Sequence, residues 1–284
     1  MPSYTYISPR ALCTGLLLLG SATLWPGLVR AQGSAVAPSG AGAASSTLGG
    51  AGVEALVAQG DRESAARRSA AALALFERAV AVDGRHAPAL WRAAREAVDL
   101  GEVEGDTQKR SALYARAVTH ARRAVEVAPT EAEARFQLAR AVGRTALTLG
   151  PRDRVKFATE VRDHALEALR LDARHAGALH VLGVWHAEVM RLNGFTRAMA
   201  RTFLGGKVFE SASWAEAVRH LEESVRIEPT RLVHRLDLAR IYRDMGRRAD
   251  ARASYEAALR SPLIDANDEY YRQSAEAELR RLPR

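Results

Sequence analysis

Cysteine is nearly absent from this chain. The single residue, Cys13, lies ahead of most of the N-terminal apolar run and lacks the small residues that precede a lipidated cysteine. Disulfide and thiol chemistry are therefore excluded from any chain cut after that run. Aromatic residues make up 6% of the sequence, too few to suggest a stacking platform. No stretch reads as a strand, because Val and Ile are scattered among Ala, Leu, Arg and Glu at helical spacing. The one long apolar run, Ala11 to Leu24, is shorter than the ~20 residues of a comfortable membrane span.

Motifs that carry chemistry are missing as well. Gly205-Gly206-Lys207 lacks the upstream glycine and the following Ser or Thr of a phosphate loop, and no serine sits in a nucleophile elbow. None of the eight histidines forms the i, i+4 pair with an intervening Glu that a helical zinc site uses. His180 and His186 are six apart and fall on different helix faces. The expectation is a non-enzyme with no metal and no cofactor. The net charge of +8 drops by two, to +6, if Arg10 and Arg30 are lost with a leader. Acidic residues are interleaved with the basic ones, as in Glu222-Glu223 beside Arg219 and Arg226. This is the pattern of a salt-bridge-laced helix surface rather than a single basic face, so nucleic acid is not an expected partner.

What is present begins with a leader. Residues 1–31 carry Arg10 as their first charge, then the apolar run, then Val29-Arg30-Ala31 before Gln32, which reads as a secretory signal peptide. A retained anchor is the alternative. The expected location is exported, in the periplasm or otherwise associated with the cell envelope. Residues 32–52 are dominated by Gly, Ala and Ser, a composition that cannot bury enough apolar surface to offset chain entropy, so they read as a flexible linker.

From residue 53 to 284 the chain repeats a two-helix grammar. A tetratricopeptide unit places small residues where two helices cross, so that a large neighbour fits the gap. Leu182 and Gly183 with Ala217, Leu221, Ser224 and Pro229 form one unit, and Ala239 and Tyr242 with Gly246, Ala251, Tyr255 and Ala258 the next. Looser pairs precede them: Leu56 and Gly60 with Ala72, Phe76 and Ala79; Trp91 with Ala117, Ala121, Ala124 and Pro129; Phe136, Leu138 and Ala139 with Val161, Ala165 and Ala168. Thr130 and Glu133 suggest a capping box, Gly150-Pro151 a break, and Asn267 to Leu282 a terminal capping helix. The fold class is all-α: a tetratricopeptide-like right-handed α-solenoid of about five helix pairs plus a C-terminal capping helix, with an insertion at about 191–211.

The run from Leu182 through Trp185-His186 to Val189, then Leu192, Phe195-Thr196-Arg197, Phe203-Leu204-Gly205-Gly206 and Ser211 through Ala217, resembles the regulator of microtubule dynamics family and its bacterial relatives. The resemblance implies a tetratricopeptide-like domain without enzymatic activity. In eukaryotic members it is linked to microtubule association and organelle contact sites, with lipid handling in one branch.

Two readings of function follow. In the first, an exported scaffold or adaptor binds a protein segment, acidic or C-terminal, in its concave groove. The groove-facing positions of the leading helices are Trp91, Arg95, Phe136, Arg140, Arg144, His180, Val184, Leu236, Arg240 and Arg243. Guanidinium groups there present a fork of donors that matches two oxygens. In the second, the protein is a lipid-binding or membrane-contact module. Leu192, Phe195, Met199 and Phe203 recur at helical spacing with Arg197 and Arg201 largely off that stripe, which suits a phospholipid surface or an acidic partner through Phe195, Arg197, Arg201 and Phe203. N-terminal sequencing of the protein from its native host should return Gln32 as the first residue; recovery of the uncut start would establish an anchor instead.

Overall fold

The computed structural model describes residues 41–192 and 207–283, and among these every regular element is a helix. Five hairpins follow one another: α1 (Ala41–Ala65) with α2 (Ser69–Val82), α3 (Ala87–Val103) with α4 (Thr107–Val127), α5 (Ala132–Leu147) with α6 (Pro151–Leu171), α7 (Ala176–Arg191) with α9 (Trp214–Ile227), and α10 (Leu232–Asp244) with α11 (Arg248–Leu259). A four-residue helix, α8 (Lys207–Glu210), precedes α9, and α12 (Asp268–Arg281) ends the stack. Each hairpin also packs on the next, leading helix against leading helix as in α3 with α5 and α5 with α7. This arrangement is an α-solenoid.

Two expected boundaries are corrected. Helix α1 already begins at Ala41, so the second half of the expected 32–52 linker is helical; its glycines disfavour a helix, and the segment continues one that is anchored in the core from Val53 onward. Thr130 and Glu133 do not form a capping box. The N-cap of α5 is Glu131, with no side-chain cap, and Glu133 instead accepts hydrogen bonds from Gln137 and His175.

The leading helices α3 and α7 start on the same motif, Asp83-Gly84-Arg85-His86-Ala87 and Asp172-Ala173-Arg174-His175-Ala176. In each, the aspartate accepts from the arginine backbone N–H (2.8 and 2.9 Å). The histidine Nδ1 caps the helix by accepting from the N–H of Ala89 or Ala178. Its Nε2 reaches back to the preceding leading helix, to Glu54 of α1 or Glu133 of α5.

Small residues set how closely each hairpin closes. A methyl group at Gly60 would lie 2.5 Å from the Phe76 ring, at Gly101 2.4 Å from the Tyr114 ring, and at Gly183 2.5 Å from Leu221 Cδ2 and 3.1 Å from the Ala217 carbonyl oxygen. Glycine costs helix propensity at each of these positions, yet only a missing Cβ admits the neighbour. Substitution should therefore reverse its usual sign. Gly52→Ala, in open space on α1, is predicted to gain about 0.5–1 kcal/mol. Gly183→Ala should lose on the order of 1 kcal/mol net, because overpacking costs about 1–3 kcal/mol. Urea denaturation reads both, and a raised midpoint for Gly183→Ala would show that the gap is not needed.

Candidate functional site

The inner wall of the stack is built from the leading helices, and it is charged and buried. On α3, Glu96, Asp99 and Glu102 recur at three-residue intervals, one face of the helix. Arg140 of α5 places Nη2 2.5 Å from Asp99 Oδ1 and 3.0 Å from Glu102 Oε1, and Arg144 Nε lies 2.7 Å from the same Glu102 oxygen. Further along, Asp237 of α10 pairs with His180 Nε2 (3.1 Å) and Arg240 Nη1 (2.9 Å). Glu278 of α12 accepts from Arg240 (2.6 Å), Arg243 (2.8 Å) and the Tyr255 hydroxyl (2.8 Å). His234, buried beside His180 at 4.8 Å between ring centroids, donates from Nδ1 to Ser224 Oγ, which in turn donates to the Ala176 carbonyl.

The start of α12 crosses to the second hairpin. Asn267 Nδ2 donates to the Asp99 carbonyl (2.9 Å) and to Glu102 Oε2 (3.1 Å), and the Tyr271 hydroxyl donates to Glu102. The terminal helix, expected only to cover the last apolar face, thus also fastens the fifth hairpin to the second. The trough this encloses has a volume of about 490 Å³ and is lined by Trp91, Arg95, Phe136, Arg140, Arg144 and His180, with Arg231, Asn267 and Tyr271 from the C-terminal side. Trp91 carries the guanidinium of Arg92 on its face at 4.1 Å. Arg95 is held by Glu96 Oε1 (2.9 Å) and Ser64 Oγ (3.1 Å).

Six of the ten expected groove residues, from Trp91 to His180, meet around this trough. Val184, Arg240 and Arg243 face a neighbouring chamber of about 270 Å³ with Arg144 and Arg191. Leu236 does neither: it is fully buried in the core with Leu232, Ile241 and Tyr255, because the apolar stripe of α10 turns it toward α9 and α11 rather than inward. The contacts expected of Phe195, Arg197, Arg201 and Phe203 fall outside the described residues. An apolar cavity of about 130 Å³ abuts the arginine chamber, lined by Gly143, Leu147, Val161, Val184, Trp185 and Leu192.

A second cluster escaped sequence reasoning. Across the base of the insertion, His186 of α7 stacks on His220 of α9 (centroids 5.5 Å, planes 18° apart), and Glu216 lies one turn before His220. The Ser213 N–H approaches His186 Nδ1 at 3.4 Å, and Trp185 meets the His186 ring edge to face. Burial pushes both imidazoles down to about 4. The signal was present in Glu216 and His220 at i, i+4; what no local spacing reveals is the partner on the other helix.

The inner wall makes stability depend on acid. Burial alone would raise the Asp237 carboxyl, but the hydrogen bond from His180 and the charge of Arg240 hold it far below the usual range. Glu102 is likewise lowered against its burial by Arg144 and Arg140. A depressed carboxyl stabilises the fold fully above its unfolded value of about 4, and that contribution is lost as pH falls through the folded value. Asp99 works oppositely, since burial raises it despite Arg140: its contribution fades as pH rises above about 4. The urea midpoint should therefore drop steeply below a pH of about 4. Asp237→Asn, less stable at neutral pH, should show the shallower decline, and equal slopes would contradict the assignment.

Comparison with known proteins places this geometry. A thermophilic TPR protein of Thermus thermophilus superposes with a TM-score of 0.57 at 23% identity, covering 79% of this chain and 99% of that one. Regulator of microtubule dynamics protein 1 of Bos taurus is 22% identical over 148 residues, 52% of this chain and 46% of the relative. Regulator of microtubule dynamics protein 3 of Xenopus laevis is 24% identical over 186 residues, 65% of this chain and 40% of the relative. The aligned region spans less than half the length of these curated relatives. The family model described as Regulator of microtubule dynamics protein 1-3 matches residues 53–283, a span that reaches from within α1 through the terminal helix, and the chain belongs to that family.

Proposed function

We propose that this protein is a non-enzymatic, exported scaffold of the cell envelope that takes a short segment of a partner protein into the trough between α3, α5 and the start of α12. The observation that carries this reading is the Trp91–Arg95–Phe136 wall, where an aromatic face, a guanidinium and a phenyl ring line one enclosed space. Aromatic and arginine side chains in such settings supply most of the energy of peptide capture. The inner-wall arginines shift the reading of specificity. Arg140 and Arg240 are bound to carboxylates of the chain itself, so they shape the trough and its neighbouring chamber. Arg95 commits Nε and Nη2 to Glu96 and Ser64, and a carboxylate of the partner, acidic side chain or free C-terminus, is met by its remaining Nη1 at the rim.

A second reading rests on a separate observation. The apolar cavity beside Trp185 opens onto the chamber of Arg144, Arg191, Arg240 and Arg243, and the two share Arg144, Leu147, Val184, Glu188 and Asp237. An acyl chain in the first with a phosphate in the second would suit a lipid-binding module, with the basic amphipathic insertion meeting the membrane. The two readings separate in one experiment on protein purified gently from its native host. Capture of an envelope protein, reduced at least tenfold by Trp91→Ala and unchanged by the control Leu166→Ala on the exposed side of α6, supports the scaffold. Stoichiometric phospholipid in the mass spectrum, with no captured protein, replaces it with the lipid reading.

A further inference from the structure

We propose that His186, Glu216 and His220 form a zinc-binding site that clips together the two ends of the insertion. One donor atom from each residue lies within 4.8 Å of the other two. Two imidazoles and a carboxylate are a ligand set suited to zinc, which leaves a fourth position for water. A tetrahedral ion with bonds of about 2.0–2.1 Å needs donors roughly 3.3 Å apart. Closure takes a turn of Glu216, whose side chain is 40% exposed, together with rotation of the two imidazoles toward each other.

Three observations point to a ligand rather than to packing alone. Both histidines are more than nine-tenths buried, and His220 Nδ1 has no hydrogen-bond partner among the described residues. Native interiors rarely leave such an atom unmatched without a water, an ion or a functional reason. The Arg219 guanidinium donates to His220 Nε2, so that nitrogen carries the ring's lone pair and is the one an ion would take once Arg219 swings away. In addition, the cluster already attracts a cation. The guanidinium of Arg219 lies 2.6 Å from Glu216 Oε2 and 3.1 Å from His220 Nε2, bridging two of the three ligands. Arg219 is 58% exposed and can swing to solvent, which makes it an internal competitor for the metal.

The position explains what such an ion would do. His186 lies in the second half of α7 and Glu216 in the first turn of α9, and the whole insertion runs between them. Zinc would fix both ends of that segment at once.

The test uses the chain without an affinity tag rich in histidine. Calorimetric titration with zinc chloride should give one saturable equivalent per chain, and the melting temperature should rise with free zinc. Cobalt chloride should give the visible absorption of a tetrahedral centre. His186→Gln and Glu216→Gln should each weaken binding at least tenfold, whereas Arg219→Ala should strengthen it. Should the histidine variant fail to fold, Glu216→Gln and Arg219→Ala carry the test, because both positions are well exposed. The absence of a saturable site, or one whose affinity neither Glu216→Gln nor Arg219→Ala alters, would overturn the proposal.

Discussion

The inner wall depends on the carboxylate of Glu102. It is almost fully buried, with 4% of its side chain exposed, and a carboxylate so placed is tolerable only when opposite charge and hydrogen bonds replace its hydration. Arg140 and Arg144 come from the following leading helix, and Asn267 and Tyr271 from the far end of the chain. Neighbouring repeats and distant ones are thus tied to one anion. A helical-repeat protein is ordinarily held by contacts between adjacent units alone. Here the fifth hairpin also answers to the second, and the space between them becomes an enclosed trough rather than an open groove.

This closure governs which side chains can meet a partner. The arginines of α5 and α10 are neutralised by acids of the chain, so an incoming anion would have to replace a buried carboxylate and leave it unpaired, at a cost of several kcal/mol. Recognition is left to the rim, where Trp91 and the outer end of Arg95 stand beside Phe136. The histidines divide in a similar way. His86 and His175 cap helices and join hairpins, and His180 and His234 complete the inner wall. His186 and His220 belong to neither set.

The hairpin grammar was legible because it is local. Gly183 opposite Leu221 and Gly60 opposite Phe76 state in residue size how close two helices lie, and Gly150-Pro151 marks the turn before α6. The groove arginines were legible as positions but not as states. Their partners stand 41 residues away for Arg140 and Asp99, and 38 for Arg240 and Glu278, a pairing visible only once the superhelical offset is known. The contact of Tyr271 with Glu102 spans 169 residues and leaves no trace in periodicity. Leu236 was misplaced for a related reason: a one-position rotation of α10 decides between trough and core, and the apolar stripe rather than the repeat register sets that rotation.

Closure of the stack through Glu102 is most directly measured by a double-mutant cycle between Glu102→Gln and Tyr271→Phe, read by urea denaturation at neutral pH. If the two side chains meet as described, the losses are non-additive, with a coupling of about 0.5–3 kcal/mol. Losses that simply add would mean that the C-terminal helix does not reach the second hairpin, and the enclosed trough would open into an ordinary groove.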